Sequence, residues 1–435
     1  AGPDAILIET MTDIAEARCA VLAAKESCDL PVLVTVSFGL TGRMELSGTD
    51  PATAAVILEA AGASALGMNC GLGPEQMVPL VEAMAAATSL PIIVQPNAGL
   101  PTLVDGKTVF PGTPDELGEY AARFVDIGAS VVGSCCGSTP AFTGAIGDFA
   151  RERPVRSNRA GLSGVVLAGP RGIARLGTGL PLAVIGERIN PTGKKALAES
   201  LRRGSMAIVR EYAVEQQHAG ANLLDVNVGA VGVDAVAVFP AAVSALVGLT
   251  DLPLVLDNTD PAVLGPALRE YPGRALVNSV NGGEDSLASV LPLAARYGAA
   301  VVALALDDDG IPMTAAGRLA IVDRIRSRAH EAGLSDNDLV VDCLVLTAAS
   351  DPRAARETLD AVREVSAGGL ATVLGVSNVS HGLPGRPTLN ATYLAMAVGA
   401  GLDAAIINPS DVEAMRAVAA TDALLLKRAI KAAAK

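Results

Sequence analysis

Tryptophan is absent from the 435 residues, aromatic side chains make up 3% and histidine occurs three times. A core without large rings has to be built from aliphatic side chains, and half of the chain is hydrophobic, mainly Ala, Val, Leu and Ile. That content excludes a disordered chain and suits buried parallel sheets. Long apolar runs are also lacking. The longest weakly polar stretch, Ala235 to Thr250, contains Pro240 and Ser244 and falls short of the roughly 18 residues a spanning helix needs, so no membrane segment is expected. Positive charge is in deficit: a net charge of −13 repels phosphates and argues against nucleic-acid or membrane-surface partners. No signal peptide is expected, because the chain opens Gly2-Pro3-Asp4 and then runs into a strand. The first residue, Ala1 rather than Met, points to processing or truncation upstream. Six cysteines in a chain of this length are too few for a disulfide scaffold. They suit thiols kept for metal or chemistry in a reducing compartment, with a cytoplasmic location as the default.

What is present is repetition. Single cores rarely exceed about 250–300 residues, so two domains are expected. Short Val/Ile/Leu runs alternate with Ala-rich amphipathic stretches, the signature of βα units around parallel sheets in an α/β protein. Strands are predicted at Asp4–Glu9, Pro31–Ser37, Ala65–Asn69, Pro91–Gln95 and Ser130–Gly133, with helices such as Asp50–Ala61 and Gly112–Ile127 between them. From 151 to 181 the pattern lapses among Pro154, Ser157, Asn158, Gly161, Gly164, Gly169, Pro170, Gly177 and Gly179, which reads as a linker between a domain at 1–150 and another at 182–435. Eight further strands follow, at Leu182–Gly186, Asn222–Val226, Leu252–Leu256, Ala275–Asn278, Ala300–Leu306, Leu339–Cys343, Ala371–Val376 and Ala404–Ile407. Eight units in this length match a closed (β/α)8 TIM-type barrel. The fold class is therefore two such barrels, the first incomplete with about five strands and the second complete.

Each of the eight later strands runs into polar residues: Glu187-Arg188-Ile189-Asn190, Asp225-Val226-Asn227, Asp257-Asn258, Asn278-Ser279, Asp307-Asp308-Asp309, Asp342, Ser377-Asn378 and Asn408. Asn and Asp also cap helices and start turns, but barrel enzymes build their sites on this carboxyl rim. In the first domain, Cys70 ends one strand segment, and Cys135-Cys136 end another between Gly133 and Gly137. If those strands are parallel neighbours, three thiols reach one rim. Three sulfurs suit Zn²⁺, with a fourth position left for an incoming thiol. Cys19, Cys28 and Cys343 read instead as small buried hydrophobes.

The Asn69-Cys70-Gly71 and Cys135-Cys136-Gly137 segments resemble the homocysteine S-methyltransferase family. The resemblance implies Zn²⁺ on Cys70, Cys135 and Cys136. Leu7-Ile8-Glu9-Thr10 is similar to the family's strand whose glutamate takes the homocysteine amino group, which points to Glu9. Gln95-Pro96-Asn97-Ala98-Gly99 looks like another rim loop, with Asn97 close to the metal and to homocysteine. The second domain resembles the pterin-binding domains of cobalamin-dependent methionine synthases and related methyltetrahydrofolate–corrinoid methyltransferases. The likeness lies in Gly186-Glu187-Arg188-Ile189-Asn190-Pro191, Leu224-Asp225-Val226-Asn227, Leu256-Asp257-Asn258, Val277-Asn278-Ser279, Val341-Asp342-Cys343 and Gly375-Val376-Ser377-Asn378. It implies that Asp257, Asn278 and Asp342 hydrogen-bond a pterin ring and that Asn378 lies against N5. Asn190, Glu187 and Arg386 join them on the rim, and Asn378 and Asp257 are the catalytic candidates.

The implied activity is methyl transfer from 5-methyltetrahydrofolate through cobalamin to homocysteine. The cofactors are Zn²⁺ and methylcobalamin/cob(I)alamin, the latter on a domain or corrinoid protein other than this chain. Two features depart from the pattern. Five strands precede the linker where eight are expected, so the first three βα units of the family pattern are expected to be missing, and no Asp-x-His-x-x-Gly cobalt-ligand run occurs. Two rival readings stand beside this one. A dihydropteroate synthase-like enzyme shares the pterin barrel, although Pro191-Thr192-Gly193-Lys194-Lys195 departs from that family's Asp-Ser-Phe-type loop. A non-catalytic folate-binding fragment is the other.

Overall fold

Runs of four to six Val, Ile and Leu residues are too short for helices and too apolar for a sheet face in water, so they pair as parallel strands buried on both sides. The computed structural model describes residues 2–151, 153–154, 161–349, 351 and 353–425. It divides into two compact units, Ala1–Leu162 with Pro170–Gly172, and Ser163–Gly169 with Ile173–Lys435.

The first unit contains β1 (Ile6–Met11), β2 (Val32–Val36), β3 (Ala65–Asn69), β4 (Ile92–Gln95), a small hairpin of β5 (Thr102–Val104) and β6 (Lys107–Val109), and β7 (Ala129–Val132). An open parallel sheet runs in the order β1-β2-β3-β4-β7. The five expected strands are all present within two residues of the sequence reading, and the barrel is incomplete as expected. The β5–β6 hairpin was not anticipated. Its Asp105-Gly106 turn takes positive φ at both residues, 49° and 74°, which is the geometry that an Asp-Gly pair favours.

The second unit begins with an antiparallel hairpin of β8 (Val165–Ala168) and β9 (Ile173–Leu176). A closed parallel barrel follows, made of β10 (Ala183–Ile189), β11 (Leu223–Val226), β12 (Leu254–Asp257), β13 (Leu276–Val280), β14 (Ala300–Leu304), β15 (Leu339–Asp342), β16 (Ala371–Gly375) and β17 (Ala404–Ile407). Pairing of Ala183 with Ala404 and of Gly186 with Ile407 shuts the ring. Part of the stretch expected as linker is therefore regular structure. Val165, Leu167 and Leu176 join Ile185, Leu223, Val255, Leu276 and Val340 in one buried cluster. Ser157, Asn158 and the chain end from 426 lie outside the described residues.

Helices alternate with the strands, and their starts follow local chemistry. Asp50 accepts the Thr53 N–H at 2.9 Å ahead of Pro51, and Asp260 accepts the Ala262 N–H at 2.8 Å ahead of Pro261. An acceptor at the cap and a proline in the first turn are both favoured there. Among the described residues no helix is long and apolar enough to cross a membrane.

Candidate functional site

β4 lies between β3 and β7, so the loops that leave these three strands emerge on the same carboxyl rim. Cys70 follows β3 in the left-handed region, with φ of 59°, and Cys135-Cys136 follow β7. The loop after β4 holds both. Cys70 N–H donates to Gln95 O at 3.1 Å, Cys135 N–H to Pro96 O at 2.8 Å, and Ala98 N–H to Cys136 O at 2.9 Å. The three Sγ atoms lie within 4.8 Å of one another, with Cys70 and Cys136 3.8 Å apart. Gly137 is needed for this turn: its φ is 80°, and an added Cβ would fall 2.2 Å from the Phe110 ring.

Side chains behind the thiols fix the loops further. Buried Asn69 accepts from the Thr35 hydroxyl at 2.7 Å and from Thr10 N–H at 3.0 Å. Its amide donates to Thr10 Oγ1 at 2.6 Å and lies 3.9 Å from Cys135 Sγ. Asn97 is buried, and its Oδ1 accepts the Cys136 N–H at 3.1 Å, so its oxygen braces the cysteine pair. Glu9 is exposed on β1 next to the anchored Thr10. Burial first, then the Cys70 and Cys136 thiols, push the Cys135 thiol up to about 11. Three sulfurs confined together resist ionising together, and a divalent cation relieves that resistance. The donor set fits Zn²⁺ with one position left over. Of the other cysteines, Cys343 is buried as expected, whereas Cys19 is exposed and Cys28 half-buried. Cys19 thus falls on the solvent side of its helix, a correction to its reading as a buried hydrophobe.

In the second unit the rim separates into turn formers and lumen residues. Asn190 accepts Thr192 N–H at 3.0 Å, Asn258 accepts Asp260 N–H at 2.8 Å and Asn408 accepts Ser410 N–H at 3.1 Å. Each closes its own local turn, which is the alternative that the residue types left open. Asp257 and Asn278 are register partners on β12 and β13. Asn278 Nδ2 donates to Asp225 Oδ1 at 3.3 Å, and Asn227 Nδ2 donates to Asp257 Oδ2 at 2.9 Å.

Burial, and then the Asp257 carboxylate, hold Asp225 well above the usual carboxyl range. Asp257 is also raised by burial, against the Asn227 bond. Glu187 is raised by burial, opposed by the Ser377 hydroxyl at 3.4 Å and by the Lys194 and Arg386 charges. Asp342 is pushed up to about 6 by burial, against the Leu344 N–H and the Arg318 charge. Four carboxyls short of solvent line one barrel mouth, an arrangement that a ligand rich in N–H donors satisfies.

Asn378 is exposed on the 3₁₀ turn Val376–Ser380 that follows β16. Arg386 braces that turn, with Nε donating to Ser380 Oγ at 3.0 Å and Nη2 to Ser377 O at 3.1 Å. Asp225 and Asn227, rim residues in the sequence reading, are not among its pterin-binding candidates. The signal was the alternation Leu224-Asp225-Val226-Asn227, which sends both polar side chains to one side of β11.

Residues 1–149 match the family described as Homocysteine S-methyltransferase, and residues 186–408 match the family described as Pterin binding enzyme. The chain is 34% identical over 441 residues to the methionine synthase of Mycobacterium tuberculosis, covering 96% of this chain and 36% of that protein. It is 34% identical over 443 residues to the methionine synthase of Mycobacterium leprae, covering 94% of this chain and 36% of that protein. The chain thus spans about a third of the length of these relatives, 36% in each case.

Proposed function

Since the chain belongs to the pterin-binding enzyme family and carries a homocysteine S-methyltransferase domain ahead of the barrel, we propose that it supplies the two substrate sites of a methyltransferase. In this reading a methyl group passes from 5-methyltetrahydrofolate, by way of cobalamin held outside these residues, to homocysteine. The products are methionine and tetrahydrofolate. The observation that carries the reading is the convergence of Cys70, Cys135 and Cys136 within 4.8 Å.

Those three thiols would hold Zn²⁺. Bound there, the ion supplies Lewis acidity that keeps an incoming homocysteine sulfur deprotonated at neutral pH. Asn69 and Asn97 keep the cysteine loops in register, and Glu9 offers a carboxylate to the substrate ammonium. In the barrel, Asp257, Asn278 and Asp342 pair with the pterin edge, and Glu187 and Asn190 complete the rim. The methyl on N5 leaves as a cation equivalent only once N5 has gained a proton. The Asn378 amide oxygen accepts from that N–H and stabilises it without carrying charge, with Arg386 holding the turn in place.

The barrel alone would also serve a dihydropteroate synthase-like enzyme or a folate-binding module, but the thiol triad favours the methyltransferase. The test is direct. Zinc content is expected to fall from one ion per chain, on the order of the ligand set's capacity, to none in the C70S/C135S/C136S variant. Full zinc occupancy in that variant sinks the metal assignment. Turnover of pterin diphosphate with p-aminobenzoate sinks the methyl-transfer reading.

A further inference from the structure

Among the described residues Arg318 is the largest side chain that is wholly buried, with 1% of its surface exposed. It lies on the helix Ala315–Glu331, and its guanidinium faces backbone carbonyls where a carboxylate would be expected. Nε donates to Pro312 O at 3.0 Å. Nη1 donates to Cys343 O at 2.7 Å, to Leu344 O at 3.0 Å and to Thr358 Oγ1 at 2.8 Å. Nη2 is buried with no partner among the described residues. A buried cation without a bonded carboxylate and with one nitrogen left over is a poor device for stability. Its carbonyl partners, however, belong to two rim loops, those that follow β14 and β15.

The second loop opens with an unusual turn. Leu344 is a branched residue in the left-handed region, at φ of 62°, a conformation that costs energy without glycine. That turn aims the Leu344 N–H at Asp342 Oδ1, 2.8 Å away. Arg318 and Thr358 both bind Leu344 O, the latter at 2.9 Å. Resting on the pterin reading above, we propose that Arg318 is a positioning residue for pterin binding: by clamping the Cys343 and Leu344 carbonyls it holds Asp342 with one oxygen bonded to the turn and the other presented to the ligand.

The charge acts in the same direction as the clamp. Arg318 opposes the burial that raises Asp342, so it favours the carboxylate that accepts pterin N–H donors. The other titratable groups around Arg318 are Cys343, Tyr393 from the helix Arg386–Ala400, Glu357 from the helix Ala354–Ala367, and Asp342 itself. Burial drives the Cys343 thiol up, and burial pushes Tyr393 up to about 12. Both are neutral where Asp342 titrates, and Arg318 is the charge that acts on Asp342.

The experiment is calorimetric binding of 5-methyltetrahydrofolate by the whole chain from pH 5 to 8, with R318M and R318K compared. Binding is expected to weaken as pH falls through the Asp342 range. In R318M that acid limb should move up by about one pH unit, as loss of a neighbouring cation dictates, so that affinity falls roughly tenfold at pH 5 and only about twofold near pH 7. R318K should restore most of the limb's position. If R318M does not fold, T358V, which removes one carbonyl clamp, should loosen binding in the same direction by less. A folded R318M with an unmoved acid limb, or a folded T358V that binds as tightly as the parent, overturns the proposal. An unmutated chain that binds no reduced pterin at any pH overturns the pterin reading itself, an outcome told apart from the other because it appears without any mutation.

Discussion

The side-chain oxygen of Asn97 accepts the backbone N–H of Cys136 at 3.1 Å, so the loop after β4 is tied to the vicinal cysteine pair after β7. N97A removes the partner from that part-buried bond, a loss of roughly 0.5–1.5 kcal/mol. The pair would then be free to drift from Cys70. Zinc affinity, measured by competition with a chromophoric chelator, is expected to fall about 10–100-fold, the usual effect of losing an outer support. An unchanged affinity means that Asn97 does not organise the thiols.

Asn378 is the exposed residue of a turn that Arg386 holds at two points, 3.0 and 3.1 Å. If its amide oxygen stabilises a proton on N5, N378A should lower the rate of demethylation of 5-methyltetrahydrofolate by added cob(I)alamin by about 10²–10³-fold. Binding of the folate should change little, because the ring contacts lie elsewhere. A variant with an undiminished rate constant removes Asn378 from the chemistry.

Much of this was readable before any coordinates. The strands of both sheets announce themselves as short aliphatic runs, and Cys70, Cys135 and Cys136 announce a rim by their position at strand ends. The hairpin of β8 and β9 did not, because its glycines look like linker punctuation. Gly169 shows why that look misleads: a Cβ there would lie 2.1 Å from the Asp251 carbonyl oxygen, so the glycine marks close packing of backbone on backbone. Asn190 and Asn378 likewise have the same side chain at the ends of two strands. Only the fold shows that one closes a local turn while the other stands exposed on a 3₁₀ turn. Arg318 was invisible for a further reason. Nothing in a helix sequence distinguishes a buried arginine from a solvated one.

The hairpin should matter to the barrel's stability. Tyr271 is buried, and its hydroxyl donates to Ala168 O at 2.9 Å while accepting Leu254 N–H at 3.1 Å. Arg274 adds a bond to Val166 O at 2.7 Å and an ion pair with Asp338. Y271F keeps the ring and takes the partner from the Leu254 N–H, while Ala168 O still accepts the Arg274 N–H at 2.9 Å, a cost of about 1–3 kcal/mol. For a domain of this size each kcal/mol shifts Tm by roughly 2–4 °C. Thermal unfolding with no shift in the barrel transition means the hairpin is only tethered, and the linker reading then extends to it.

Asp403 gives a pH signature that belongs to the fold alone. It is buried, and its Oδ2 accepts Thr372 N–H at 2.9 Å and lies 3.2 Å from the Thr372 hydroxyl. Burial raises its carboxyl from 3.8 to about 6, against those same bonds. The folded state therefore keeps the proton over a range where the unfolded chain has released it. Below about pH 4 both states are protonated and no penalty exists. As pH rises toward 6 the native protein has to ionise a buried group, and stability falls by on the order of 2–3 kcal/mol before levelling off. D403N presents an amide oxygen to Thr372 and never ionises. It should match the parent near pH 4 and exceed it by several degrees in Tm above pH 7. Taking the difference between the two proteins cancels every other titrating group they share. A Tm difference that stays flat from pH 4 to 8 means that Asp403 titrates alike in both states, and that the Thr372 bonds fully offset its burial.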